Sequence, residues 1–82
     1  RMSEYVTDEE IDKVWGNASF GDCSKRHVVN EAVLKVASGY YQGSTSRGIV
    51  EELKLKRTNL NELTEMGKKY LWEQFHDRIL NL

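Results

Sequence analysis

Residues 45–71 read TSRGIVEELKLKRTNLNELTEMGKKYL, and this stretch largely decides how the chain is expected to fold. Ile49 and Leu53 stand four residues apart, a spacing that puts apolar side chains on one face of a short helix. We expect Ser44 or Thr45 to cap this helix, because a hydroxyl at the first position can accept from a free backbone amide. The stretch therefore begins with a short helix.

A longer helix is predicted to follow and to run close to the C-terminus. We expect it to open near Asn61 or Thr64, and Gly67 allows a neighbouring segment to approach closely. Its inward residues are predicted to be Leu63, Tyr70, Leu71, Phe75 and Ile79. The connection KLKRTNLNE is expected to form at most a short hairpin, near residues 55–62, or only a turn.

The same stretch resembles a compact winged-helix or helix-turn-helix domain. The resemblance lies in T-x-x-x-I-x-x-x-L-x-L over residues 45–55, followed by L-T-x-x-G-K-x-Y-L over residues 63–71, and it covers about a third of the chain. It implies a hairpin wing between the two helices and a threonine that caps the second. The segment available for the wing is very short. Size and the acidic start also resemble small orphan proteins of tailed phages and prophages.

The first helix of the chain is predicted from a capping box. Thr7 can accept from the amide of Glu10 while the Glu10 side chain returns to the amide of Thr7. Val6 and Ile11 occupy the apolar positions that flank such a cap. Gly16 is expected to end this helix.

A second, central helix is predicted after a cap at Ser24 or Asp22. Its apolar stripe comprises Val29, Ala32, Val33, Val36, Ala37 and Tyr40, and Val28, Leu34 and Tyr41 widen it. This spacing of three and four is the strongest periodic signal in the chain. We expect Val33 and Val36 to be deeply buried, and Trp15, Tyr40, Tyr70 and Phe75 to be core aromatics.

The whole chain is expected to be one mainly α-helical domain, a compact bundle of about four helices over residues 1–82. It has 82 residues, 39% hydrophobic and 30% charged, and no proline. These values are ordinary for a folded globular chain. We expect residues 1–5 to be flexible, and Arg1, which precedes Met2, to be foreign to the natural chain.

The chain is expected to be cytoplasmic, with no membrane partner. No apolar run approaches the roughly 18 residues of a membrane span, and no signal-peptide pattern opens the sequence. Cys23 is the only cysteine, so an intramolecular disulfide is impossible, which fits a reducing compartment.

Charge is polarised along the chain although the net charge is only −1. Residues 1–23 hold two basic and six acidic residues, and residues 24–69 hold nine basic and five acidic ones. The candidate nucleic-acid contacts are Arg47, Lys54, Lys56, Arg57, Lys68 and Lys69. If they share one face they can neutralise several phosphates, and the leading hypothesis is therefore DNA binding. The alternative is that they are scattered, solvated charges.

The rival hypothesis is a protein-binding adaptor or inhibitor with the same fold. Tyr41 and Trp72 stand beside the apolar stripes, where aromatic residues favour protein interfaces, and the acidic first helix is a further candidate surface. Under either hypothesis the protein is expected to be a monomer or a homodimer.

No catalytic residue, metal ligand or cofactor is assigned. Cys23 and His27 are four apart and can share a helical face, but zinc requires further ligands. A Cys23-dependent enzyme or redox sensor is the weakest of the three hypotheses, because no third orienting residue is evident. Phosphate-binding glycine loops are absent from the sequence. We therefore expect a binding protein without enzyme activity.

Overall fold

Four helices follow one another in the computed structural model, which describes residues 2–80, with side chains for residues 2–78. They are α1 (Asp8–Trp15), α2 (Lys25–Ser38), α3 (Ser44–Glu52) and α4 (Glu65–Leu80). The central position expected for α2 is confirmed, since it contacts each of the other three helices. No strand occurs within residues 2–80. The radius of gyration is 12.0 Å, close to the roughly 12 Å of a compact chain of this length.

The predicted capping box of α1 is confirmed. Thr7 Oγ1 accepts from the amide of Glu10 at 3.1 Å, and the Thr7 amide donates to the Glu10 carboxylate at 3.1 Å. Val6 and Ile11 are both buried on either side of this cap. Gly16 ends the helix with a positive φ of 59°.

The predicted stripe of α2 is correct up to Val36 and wrong beyond it. Ser24 caps the helix by accepting from the amide of His27, and Val33 and Val36 are buried. Gly39 adopts a left-handed φ of 78° and ends the helix at Ser38. Tyr40 therefore leaves the helical register and is 68% exposed instead of being a core aromatic. Ala37 is exposed as well.

The predicted cap of α3 is wrong. Gly43 is the N-cap residue, and no side chain makes a capping hydrogen bond there. Ser44 and Thr45 are already inside the first turn, because the helix begins at Ser44. Ile49 and Leu53 pack inward as expected, and Val50 is buried beside them.

The end of α3 is shaped by Lys54, which adopts a left-handed φ of 62°. The Lys54 amide donates to the carbonyl of Glu51 at 3.0 Å, and the Leu55 amide donates to the carbonyl of Val50 at 2.9 Å. This pair of bonds is the Schellman motif that closes many helices, normally with glycine at the left-handed position. Its result is that Leu55 turns back and is fully buried.

The segment after Leu55 forms a turn closed by a single antiparallel bridge between Lys56 and Leu63. The Arg57 amide donates to the carbonyl of Glu62 at 2.9 Å across this turn. The prediction of at most a short hairpin near residues 55–62 is therefore confirmed, since the turn contains only this one bridge. The turn projects no extended wing.

Thr64 joins this turn to α4. Its amide donates to the carbonyl of Leu55 at 3.0 Å, and its hydroxyl donates to the carbonyl of Lys54 at 2.6 Å. The same hydroxyl accepts from the amide of Gly67 at 3.0 Å, so Thr64 caps α4. The choice between Asn61 and Thr64 is settled in favour of Thr64.

The core lies where the four helices meet. Its buried members are Val6, Ile11, Trp15, Val28, Val29, Ala32, Val33, Ile49, Val50, Leu53, Leu55 and Tyr70. Trp15 and Tyr70 are buried as predicted, whereas Phe75 is only half-buried. The predicted inward side chain of Ile79, and Arg1, lie outside the described residues.

Within residues 1–5, which we expected to be flexible, Glu4 and Tyr5 contact the rest of the domain. The Glu4 amide donates to the Glu73 carboxylate at 2.8 Å, and Tyr5 packs against the core. Among residues 2–80 no helix is long and apolar enough to cross a membrane.

Candidate functional site

The six basic residues proposed for nucleic-acid contact do not all present their charge to solvent. Lys56 is the clearest correction, because its side chain is only 3% exposed. Its ammonium lies 2.6 Å from the Glu51 carboxylate and donates to the carbonyl of Arg57 at 2.9 Å. The hydrogen bond from Lys56 lowers the pKa of Glu51 below its ordinary value. Lys56 is thus a structural cation that holds the turn to α3.

Two further cations form exposed ion pairs. Arg57 pairs with Glu62 at 2.9 Å, and Lys68 pairs with Glu65 at 3.3 Å. Both pairs are solvated, so each stabilises the fold only weakly, by about 0–1 kcal/mol. An anion that binds more tightly, such as a phosphate, can therefore displace either carboxylate with little loss of free energy.

The remaining cations, Arg47, Lys54 and Lys69, are exposed. Arg47 shares a polar depression of about 470 Å³ with Tyr41, Glu51 and Lys56. Lys54 lies beside the first turn of α4 instead, because its carbonyl accepts from Thr64. The basic residues are therefore divided between a polar depression and the start of α4.

The two aromatic residues proposed for a protein interface are both exposed, Tyr41 at 82% and Trp72 at 64%. They do not line a common surface depression. Tyr41 lines the polar depression beside α3, whereas Trp72 lines a groove between α2 and α4. Their chemical surroundings differ, and only those of Trp72 are apolar.

This α2–α4 groove has a central volume of about 230 Å³. Its lining residues are Leu34, Lys68, Leu71, Trp72, Phe75 and His76. The α4 members follow a three-and-four spacing, so α4 carries apolar residues on this face as well as on its core face. Leu34, which was expected to widen the core stripe of α2, is 43% exposed here.

The groove continues at both ends. Towards the turn it opens into a depression lined by Val36, Leu63, Lys68 and Leu71 among others. In the other direction it opens into one lined by Asn30, Leu34, Phe75 and Arg78 among others. The central groove shares Lys68 and Leu71 with the first depression and Leu34 and Phe75 with the second, so the three depressions adjoin one another along α4.

Trp72 is held in place by its neighbour one turn later. Its ring stacks on the His76 ring with centroids 4.9 Å apart and an interplanar angle of 13°. His76 Nδ1 lies 2.7 Å from the Trp72 carbonyl oxygen, which fixes the imidazole. An exposed aromatic ring that is already positioned loses little side-chain entropy when a partner covers it.

A polar network behind the groove fixes α2 against α4. The Tyr70 hydroxyl donates to Asn30 Oδ1 and accepts from Arg26 at 3.2 Å, and Asn30 Nδ2 donates to Gln74 Oε1 at 3.0 Å. Burial raises the pKa of Tyr70, against the opposing effect of the Arg26 hydrogen bond. Arg26 also donates to the carbonyl of Val6 at 2.8 Å.

This network was not predicted from the sequence. The available signal is that Arg26 and Asn30 stand four apart on one helix, as do Tyr70 and Gln74 on another. Two polar residues four apart lie on the same face of a helix. When two such faces pack against each other, their polar side chains can form hydrogen bonds between the helices.

Cys23 and His27 do lie near one another, lining a small depression together with Glu31. Cys23 is exposed, and His27 lies 3.4 Å from the Glu31 carboxylate. Among the residues with described side chains, no group of three or more histidine, cysteine or acidic residues is arranged to hold a metal ion.

Comparisons with protein-family models, curated proteins and solved structures found no match to this chain. Its function is therefore inferred from its own surfaces.

Proposed function

We propose that this domain is a protein-binding module that uses the α2–α4 groove as its contact surface. The observation that carries the proposal is Trp72, 64% exposed and stacked on His76 in a groove whose other exposed wall is Leu34. A folded chain gains free energy by burying such side chains, at roughly 25 cal/mol per Å² of apolar surface. Contiguous exposed apolar surface of this kind is typical of interaction sites.

The shape of the groove favours a helical partner. Grooves between two packed helices accept the apolar face of a third, which is one of the common modes of peptide recognition. Tryptophan is among the residues that most often dominate such contacts, particularly when its ring is surrounded by other apolar groups. Leu71 and Phe75 supply those groups here.

The test is selection from a display library of helical peptides. Peptides are selected against the wild-type protein and counter-selected against Trp72→Asp, whose fold is checked by circular dichroism. The proposal predicts enriched peptides with an apolar face at i, i+3, i+4 and i+7 that also bind Tyr41→Ala. Tyr41→Ala is the matched control, since it removes an exposed aromatic outside the groove. Enrichment that is equal on Trp72→Asp contradicts the proposal.

A second proposal is nucleic-acid binding, in the manner of the winged-helix domains that residues 45–71 resemble. Its support is the 2.6 Å bond from the Thr64 hydroxyl to the Lys54 carbonyl, which brings Lys54 to the turn of α4 that precedes Lys68 and Lys69. Each phosphate contact contributes a salt slope of about −0.9 on duplex DNA. Changing these three lysines to alanine is expected to flatten the slope by about two to three. Absence of duplex binding at low salt rules this proposal out.

A further inference from the structure

If the proposed function holds, the length of the α2–α4 groove and the charges at its ends limit the kind of partner that fits it. Together with the depression that adjoins it at Phe75, the groove borders α4 from Lys68 to Arg78. Ten helical rises correspond to about 15 Å, the length of nearly three turns of a bound helix. Its middle is apolar, with Leu34, Trp72 and Phe75. The groove thus fits one short amphipathic helix.

Each end of the groove carries a cation that is accessible to a partner. Lys68 lines the end near the turn, and its pair with Glu65 is exposed on both sides, with 64% and 85% of the side chains accessible. Arg78 lines the other end, and its guanidinium lies 5.7 Å from the centre of the Phe75 ring. Because exposed ion pairs are weak, such a cation can leave its intramolecular carboxylate and pair with a carboxylate of a binding partner.

Each carboxylate that lines the same ends has a different cation as its partner. Glu62, near Lys68, pairs with Arg57 at 2.9 Å. Glu31, near Arg78, pairs with Lys35 at 3.2 Å and lies 3.4 Å from His27. Lys68 and Arg78 are thus the exposed cations at the two ends of the groove that the carboxylates of a partner can reach.

We propose that the occupant of the groove is a short amphipathic helix of another protein, with acidic residues at both ends of its apolar face. The apolar face covers Trp72 and Leu34, one acidic end meets Lys68, and the other meets Arg78. Complementary charges at the rim of an interface select the partner and its orientation, while the apolar centre supplies most of the affinity.

The test uses three synthetic helical peptides of about 15 residues with the same leucine face. Their ends are acidic, neutral or basic, and binding to the wild-type protein is measured by calorimetry at about 30 mM and about 300 mM salt. We expect the acidic-ended peptide to bind at least about tenfold more tightly than the basic-ended one at low salt, with a smaller ratio at high salt.

Variants locate the charges responsible. Lys68→Glu combined with Arg78→Glu is expected to reverse the preference in favour of the basic-ended peptide. Lys69→Glu is the control, because it reverses one charge at an exposed position that does not line the groove. It is expected to retain the preference for acidic ends.

The outcomes separate this inference from the proposed function. Equal binding of acidic- and basic-ended peptides, still lost in Trp72→Ala, overturns the acidic partner and leaves a protein-binding groove. No binding of any peptide to the folded wild type overturns both. Sedimentation of the free protein as a dimer that Trp72→Ala dissociates makes a second copy of this chain the occupant, and also overturns the inference.

Discussion

The backbone of Gly67 lies directly against the carbonyl group of Leu55: a Cβ atom added at Gly67 would stand 1.9 Å from the Leu55 oxygen. The same oxygen accepts the amide of Thr64, so one carbonyl fixes both the cap and the first turn of α4. Leu55 reaches this place because Lys54 reverses the chain. The turn after α3 thereby sets the position of α4, and with it one wall of the α2–α4 groove.

Gly67→Ala is expected to lower the free energy of unfolding by more than about 3 kcal/mol, because the obstacle is a backbone atom that cannot rotate away. Urea denaturation measures the effect. Gly48→Ala is the control, since a Cβ there meets nothing within 4 Å, and alanine in a helix is favoured over glycine by about 0.5–1 kcal/mol. Equal stability of the two variants would contradict the described contact.

Lys54→Gly is expected to stabilise the protein by about 0.5–1 kcal/mol. Lys54 has a left-handed φ of 62°, where a side chain is disfavoured and glycine is not. The measurement is the midpoint of thermal or urea unfolding, compared with Lys54→Ala, which removes the same charge but keeps the Cβ strain. A Lys54→Gly variant no more stable than Lys54→Ala would argue against the left-handed conformation.

Tyr70→Phe is expected to destabilise the fold by about 1–2 kcal/mol, because the partly buried amide oxygen of Asn30 loses its donor. Tyr41→Phe serves as the matched control, since its hydroxyl is on an exposed side chain and its removal should leave the unfolding midpoint unchanged. If both variants unfold alike, the network between α2 and α4 contributes nothing to stability.

Acid sensitivity is expected to depend on Glu51. Because the hydrogen bond from Lys56 lowers the pKa of Glu51, its ionised form stabilises the fold at pH values above the ordinary glutamate pKa of about 4.3. This stabilisation is lost as the pH falls through the lowered pKa of the folded state. Urea midpoints measured from about pH 6 to about pH 3 should therefore fall less in Glu51→Gln than in the wild type. A parallel decline in both proteins would exclude this role of Glu51.

Much of the helical architecture could be predicted because it is local chemistry. The Thr7 capping box and the Thr64 cap each involve residues three apart, so their patterns are readable in the sequence. The small residue at 67 also indicated a close approach, although not its partner. The cap of α3 was predicted incorrectly because serine and threonine also occur within first turns, and here Gly43 begins the helix without a side-chain bond.

The features that could not be predicted depend on where the chain reverses. A left-handed lysine at position 54 is rare, and no pattern distinguishes it from a helical one. That reversal is what carries Lys56 inward to Glu51, so a residue expected in the basic face became a buried one. Likewise Tyr40 is exposed because Gly39 ends α2 before the apolar stripe does.

The α2–α4 groove could be predicted only in part from the sequence. Trp72 was identified because it stands beside the apolar stripe of its helix, and it is exposed. Leu34 was assigned to the core because periodicity cannot say whether a flanking position is covered by another helix. Tyrosine is also common at protein interfaces, but Tyr41 lies in a different depression. The proposal of a protein partner therefore rests on the three-dimensional surface around Trp72.

The central claim, that the α2–α4 groove binds a helical partner, is tested most directly by the two tryptophan indole N–H resonances. The ¹⁵N-labelled protein is titrated with the acidic-ended, leucine-faced peptide. Trp15 does not line the groove, and its Nε1 donates to the carbonyl of Ala18 at a distance of 3.0 Å. The Trp15 resonance should therefore stay in place. The Trp72 resonance should move progressively and saturate. A Trp72 resonance that does not move at saturating peptide, or that moves no more than that of Trp15, would contradict the account.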